Sequence, residues 1–173
     1  MQYHRVSLLL CVSMGWLSAC TGAAPPGLKY SVAIDPAFST DEVDAITAGL
    51  DNWKASVPEL QLTYAIAACN VPGTDQVCMH PDSSPPDMAD DVVGDTQLAG
   101  DDNATILLFV DRIEAAAPSN SSQLFQQTAA HEMGHALGLK HWGTGTLMAA
   151  DVQNQNPTIT PADVDQFWSV RGK

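Results

Sequence analysis

The stretch HEMGHALGLKH, residues 131–141, holds three of the chain's five histidines and one glutamate. On a helix, His131 and His135 lie about 6 Å apart along the axis on one face, so two imidazoles can aim at one point. That is the geometry a zinc ion takes. Glu132 is rotated about 100° around the same helix, so it flanks an ion instead of binding it and can take a proton from metal-activated water. The same helix cannot supply a third ligand, because Leu139 has no donor atom. Gly138 can adopt a positive φ, turn the chain sharply and return His141 toward the ion. Three imidazoles then leave a fourth position open for water. The chemistry expected of these residues is hydrolysis by metal-activated water with Glu132 as general base.

These residues resemble the H-E-x-x-H-x-x-G-x-x-H signature of the metzincin zinc metalloproteases, and the interior Gly134-His135-Ala136-Leu137-Gly138-Leu139 is most similar to the matrixin branch. The resemblance implies His131, His135 and His141 as zinc ligands and Glu132 as the catalytic residue. It also implies a methionine turn beneath the metal, for which Met148 stands seven residues after the third histidine. Two departures are visible. Trp142 stands where matrixins usually have serine, either as the rim of a specificity pocket or as simple packing; Ala149 and Ala150 replace a tyrosine and a proline. The implied fold class is α+β, a metzincin-like zincin domain: a mixed twisted sheet with a long active-site helix, a backing helix and a C-terminal helix.

The elements that must position the site can be read from periodicity. LKYSVAI, from Leu28, alternates as a half-buried strand and stops at Pro36. Ser39 and Glu42 form a capping box for a helix with Val43, Ile46, Leu50 and Trp53 at helical spacing, a core stripe. LQLTYAIAA returns to a strand pattern leading into Cys69. Residues 70–91, rich in Pro, Ser, Gly and Asp, are expected to form one long surface loop with His80 solvated in it. DVVGDTQLA predicts a short strand with a glycine kink, whose Val92–Leu98 part would offer its edge to an extended substrate. ATILLFV predicts a firmer strand, and Ala115–Ser122 a polar connector. Leu124, Phe125, Thr128, Met133, Ala136 and Leu137 then mark the active-site helix, which Gly138 ends. Thr160-Pro161-Ala162-Asp163 opens a last helix carrying Val164, Phe167 and Trp168.

The 173 residues suit one domain. With 20 acidic against 7 basic residues the net charge is −13, which argues against nucleic acid as partner and does not favour an anionic lipid surface. Residues 1–19 read as a lipoprotein-type signal peptide: a weak basic start, the apolar run VSLLLCVSMGWLSA, and Leu17-Ser18-Ala19-Cys20, with Cys20 the candidate lipidation site. An ordinary secretory cut near Ala19 or Ala24 is the alternative. Loss of residues 1–19 removes one basic group, Arg5, and shifts the charge from −13 to −14. Residues 20–27 form a tether too short for a family-type prodomain, and residues 28–173 the catalytic domain. The chain is expected to be exported and lipid-anchored at the cell envelope, at the outer membrane if there are two, or else secreted. It would touch a membrane through the anchor only and act as a monomer on protein or peptide substrates.

Cys69 and Cys78 have eight residues between them and are most simply a local disulfide; a thiol capping a metal is the other reading. Besides zinc, calcium is a second cation to weigh, because Asp82, Asp87, Asp90, Asp91, Asp95, Asp101 and Asp102 offer hard oxygens. No ordered ligand spacing accompanies them, so solvated loop charge is preferred. The main rival function is a non-catalytic, zinc-organised surface binding lipoprotein. Intact Glu132 argues against it, since structural zinc needs no base and usually fills its fourth position with protein. A second rival is a protease with one narrow target.

Overall fold

The computed structural model describes residues 28–69, 76–83, 89, 92–99 and 103–172. The expected signal peptide and tether, with Cys20, and the acidic residues Asp87, Asp90, Asp91, Asp101 and Asp102 lie outside them. The fold is α+β. Its sheet comprises β1 (Lys29–Ile34), β2 (Gln61–Ile66), β3 (Gln76–Asp82), β4 (Gly94–Leu98) and β5 (Ala104–Phe109), in the order β2-β1-β3-β5-β4. The neighbours β2, β1, β3 and β5 run parallel, and β4 pairs antiparallel with β5 at the edge.

Alternation decides which face is covered. Tyr30, Val32 and Ile34 of β1, Leu62 of β2, Val77 and Met79 of β3, and Ala104, Ile106 and Leu108 of β5 are buried together in one core. Helices α1 (Thr40–Ser56) and α3 (Ser121–Ala136) supply its other half. The box of Ser39 and Glu42 caps α1: the Ser39 hydroxyl accepts from the Glu42 N–H, and the Glu42 carboxylate accepts from the Ser39 N–H at 2.6 Å. Trp53 is fully buried, and its indole donates to the carbonyl of Ala130 at 2.7 Å, tying α1 to α3 one residue before His131. Gly49 permits the close approach of these helices, since a Cβ there would meet the Gln126 carbonyl oxygen at 2.5 Å. Among the described residues, no helix is long and apolar enough to cross a membrane.

Two sequence expectations are corrected. The expected loop of residues 70–91 contains β3, which lies at the centre of the sheet. Its apolar run is only Val77-Cys78-Met79 and it carries Pro81, which ordinarily argues against a central strand. Pairing with β1 ends at Met79 while pairing with β5 continues to Asp82, so the missing N–H of Pro81 falls where β3 has one partner. In addition, α2 (Val110–Ala116) follows β5 without a break, leaving 117–120 as the connector. Its opening Val110 reads as the end of the preceding apolar strand, which hides the helix start.

Candidate active site

Helix α3 sets two of the three histidines. His131 and His135 share a face, their Nε2 atoms 3.1 Å apart. The helix ends in a Schellman pair: Gly138 N–H donates to His135 O at 2.8 Å and Leu139 N–H to Gly134 O at 3.0 Å, with Gly138 at φ 88°. The turn brings His141 back, so its ring centroid is 5.3 Å from that of His131 and 4.8 Å from that of His135. One ring nitrogen of each histidine lies within 4.8 Å of the others.

Backbone carbonyls fix the tautomers. His131 Nδ1 lies 2.7 Å from Leu147 O and His135 Nδ1 2.9 Å from Leu139 O, so each Nδ1–H donates and each Nε2 keeps its lone pair. Burial lowers the pKa of His131 to about 4 and lowers that of His135 too, which keeps both rings neutral. Two acceptor lone pairs held 3.1 Å apart repel unless a cation lies between them. That spacing is close to the roughly 3.3 Å between neighbouring nitrogens around a tetrahedral zinc ion with ordinary Zn–N bonds. The residues therefore fit zinc, with His141 as third donor.

Glu132 turns toward the sheet's edge strand. Thr96 Oγ1 of β4 donates to its Oε2 at 2.6 Å. Gly94 leaves room for it, since a Cβ there would press on Glu132 Cγ and Oε1 at 3.0 Å. Burial pushes the Glu132 carboxyl up to about 7; the Thr96 hydrogen bond acts against this and the negative charge of Asp95 with it. A cleft of about 420 Å³ lies between β4 and the histidines, reaching Thr128, Val152 and Gln155.

Met148 is fully buried beneath the histidines. A Cβ on Gly134 would overlap its sulfur, and Trp53 closes the space behind at 3.2 Å. Cys69 and Cys78 are joined in a disulfide with Cα atoms 5.7 Å apart, which ties the end of β2 to β3. Although His80 stands near this pair, the two sulfurs are bonded to each other. His80 departs from expectation: it lies in β3 and its Nδ1 meets Asp35 Oδ2 at 2.8 Å, because β3 runs beside the end of β1. Of the acidic residues weighed for calcium, Asp82 and Asp95 are described, and among the described residues no carboxylate cluster is gathered that could hold a metal.

A family model described as matrixin, of the M10 peptidases, matches residues 27–170. The chain belongs to the matrixin family. It is a zinc metalloendopeptidase of metzincin type, and as a protease this matrixin acts on protein or peptide substrates. Its fold is similar to that of an archaemetzincin from Methanopyrus kandleri, with a TM-score of 0.60 at 12% identity over 86% of this chain and 99% of the other. No curated protein matches it.

Sequence reasoning missed three residues of this matrixin's site. Thr96 holds Glu132, but a threonine on a strand carries no local mark of it. Gln155 donates to Ala149 O at 3.0 Å, accepts from Gln127 at 2.9 Å, and lays its amide against His131 Nδ1. Asp163 was read only as part of a helix start. Its fully buried carboxylate also accepts the N–H groups of Leu147 at 3.0 Å and Met148 at 3.2 Å.

Proposed function

We propose that His131, His135 and His141 hold the catalytic zinc and that Glu132 is the general base of an endopeptidase. One observation carries this reading: three imidazoles converge beside a buried carboxylate in a cleft bounded by an edge strand. When bound, zinc supplies Lewis acidity, acidifying a water and polarising the scissile carbonyl. Glu132 takes the proton of the attacking water and passes it to the leaving amine, and its raised proton affinity suits a group that must accept and then return a proton near neutrality. Thr96 holds one carboxylate oxygen and so fixes the direction of the other. Among the described residues β4 pairs with β5 alone, so its outer edge can take an extended peptide by main-chain hydrogen bonds. Met148 supports the ligands by packing from below, and the 69–78 disulfide braces the sheet. The reading also includes action as a monomer, and export with an anchor through Cys20, which the signal-like residues 1–20 support.

Protein lacking residues 1–19 should digest casein, stop on chelation and recover with zinc. Glu132→Ala should abolish cleavage while metal analysis still finds one zinc per chain. Activity that persists in this variant removes Glu132 as the base. Wild-type protein that holds zinc and cuts nothing is instead the zinc-organised binding lipoprotein.

A further inference from the structure

Trp142 follows the third histidine directly, yet no part of the chemistry above uses its indole. Its main chain is locked on both sides: the N–H donates to Met148 O at 2.8 Å, and the carbonyl accepts from Thr146 Oγ1 at 2.5 Å. On this fixed base the side chain is 57% exposed, among the most exposed large apolar groups of the described chain. A rigid, solvent-facing tryptophan beside a reacting centre has the features of a recognition group.

The indole forms one wall of a second cavity of about 310 Å³. The other wall is α4 (Pro161–Val170), through Ala162, Asp165, Gln166 and Ser169. Their i, i+3, i+4, i+7 spacing makes one stripe, while Asp163 and Phe167 turn into the core. Asp165 brings a carboxylate, and the amide oxygen of Gln166 is buried without a hydrogen-bond partner. A π face and a negative charge suit the same guest, a cationic group that has donors only. Neither suits a carboxylate.

We propose that the cavity between Trp142 and α4 is a specificity site that takes a lysine or arginine side chain of the substrate, a few residues from the scissile bond. The proposal rests on the endopeptidase reading above.

The test uses the zinc-loaded enzyme and a set of quenched fluorescent peptides sharing one cleavable sequence. Each flanking position in turn carries Lys, Arg, Leu or Glu, and kcat/KM is measured. One position should favour Lys and Arg over Leu by roughly threefold to tenfold, the range expected of a partly exposed cation–π contact plus an ion pair. Glu there should be the poorest. Trp142→Ala and Asp165→Asn should each bring the Lys to Leu ratio toward one, with Trp142→Phe retaining part of it. Peptides cut by wild type and by neither Glu132→Ala nor chelated enzyme confirm that the hydrolytic site itself is being read. If those controls behave and no position prefers a basic residue, or the preference survives in both Trp142→Ala and Asp165→Asn, the cavity is no such site. If Glu132→Ala and the chelated enzyme cut as well as wild type, the cleavage is not made by the zinc site with Glu132 as base, and that reading fails instead.

Discussion

Asp163 and Leu147 connect the C-terminal helix to the metal-binding face. The Asp163 carboxylate closes the cap of α4, with the Thr160 N–H donating to it at 2.7 Å, and it also accepts the Leu147 N–H at 3.0 Å. The Leu147 carbonyl in turn accepts His131 Nδ1–H at 2.7 Å. One residue, Leu147, thus carries the position of α4 to the ring that faces zinc, and the Met148 N–H is held by the same carboxylate at 3.2 Å. Asp163→Ala leaves these buried donors unpaired. Each unpaired donor costs about 1–3 kcal/mol, and zinc affinity should fall roughly 10- to 100-fold, as when an outer support of a ligand is lost. Urea unfolding and zinc competition titration measure the two effects; unchanged zinc affinity would show that the link from α4 does not reach His131.

Gly134 should resist replacement by alanine even though it lies inside a helix. Alanine ordinarily gains about 1 kcal/mol over glycine at such a position. Here the added methyl would overlap the Met148 sulfur, with Trp53 filling the space behind it, and both neighbours are fully buried. Overpacking of this kind costs about 1–3 kcal/mol, which outweighs the propensity gain. Gly134→Ala should therefore lower thermal stability and weaken zinc retention. A Gly134→Ala, Met148→Ala double variant, which removes the overlapping sulfur, should recover part of the zinc binding. A stabilised single variant would mean that the turn beneath the histidines is not packed as described.

How much of this was legible depends on the range of the interaction. Features written within one helical turn were readable: His131 and His135, the Gly138 bend, and the boxes Ser39–Glu42 and Thr160–Asp163, whose geometry the structure reproduces. The alternating strands β1 and β2 and the continuous apolar run of β5 were readable too. β3 was not, because a three-residue apolar run before Pro81 becomes a central strand only through partners on either side. Thr96 and Asp163 were missed as supports for the same reason. Their bonds reach across 36 and 16 residues, and neither partner marks the other locally.

The cysteine pair offers a check on the sheet. Joining Cys69 to Cys78 closes a short loop, worth about 2–3 kcal/mol by chain entropy. The bond fastens the chain after β2 to β3, which β5 separates from the edge strand β4 that borders the cleft. A Cys69→Ser, Cys78→Ala variant should lose about that much stability in urea and keep the wild-type zinc affinity. A matching loss of zinc would mean that the brace also shapes the site.

Glu132 and His131 make opposite demands on pH in the metal-free protein. The Glu132 carboxyl rises from 4.5 to about 7 on folding, chiefly through burial. A raised acid stabilises the fold fully below the lower value and loses that contribution as pH climbs through the upper one. His131 falls from 6.5 to about 4, again through burial, so its contribution is present above 6.5 and lost as pH drops toward 4. The two trends largely cancel between these limits. Glu132→Gln removes the first while keeping an oxygen for Thr96, so the chelated variant should exceed chelated wild type in stability by about 3 kcal/mol at pH 8. The gap should close toward pH 4.5, where the wild-type carboxyl is neutral in both states. Zinc should shrink it as well, because a neighbouring dication favours the ionised carboxylate. Urea titrations at pH 5, 6, 7 and 8, with and without chelator, measure this directly. Equal stability of the two chelated proteins at pH 8 would show that Glu132 is not held in the buried setting from which its role as base is argued.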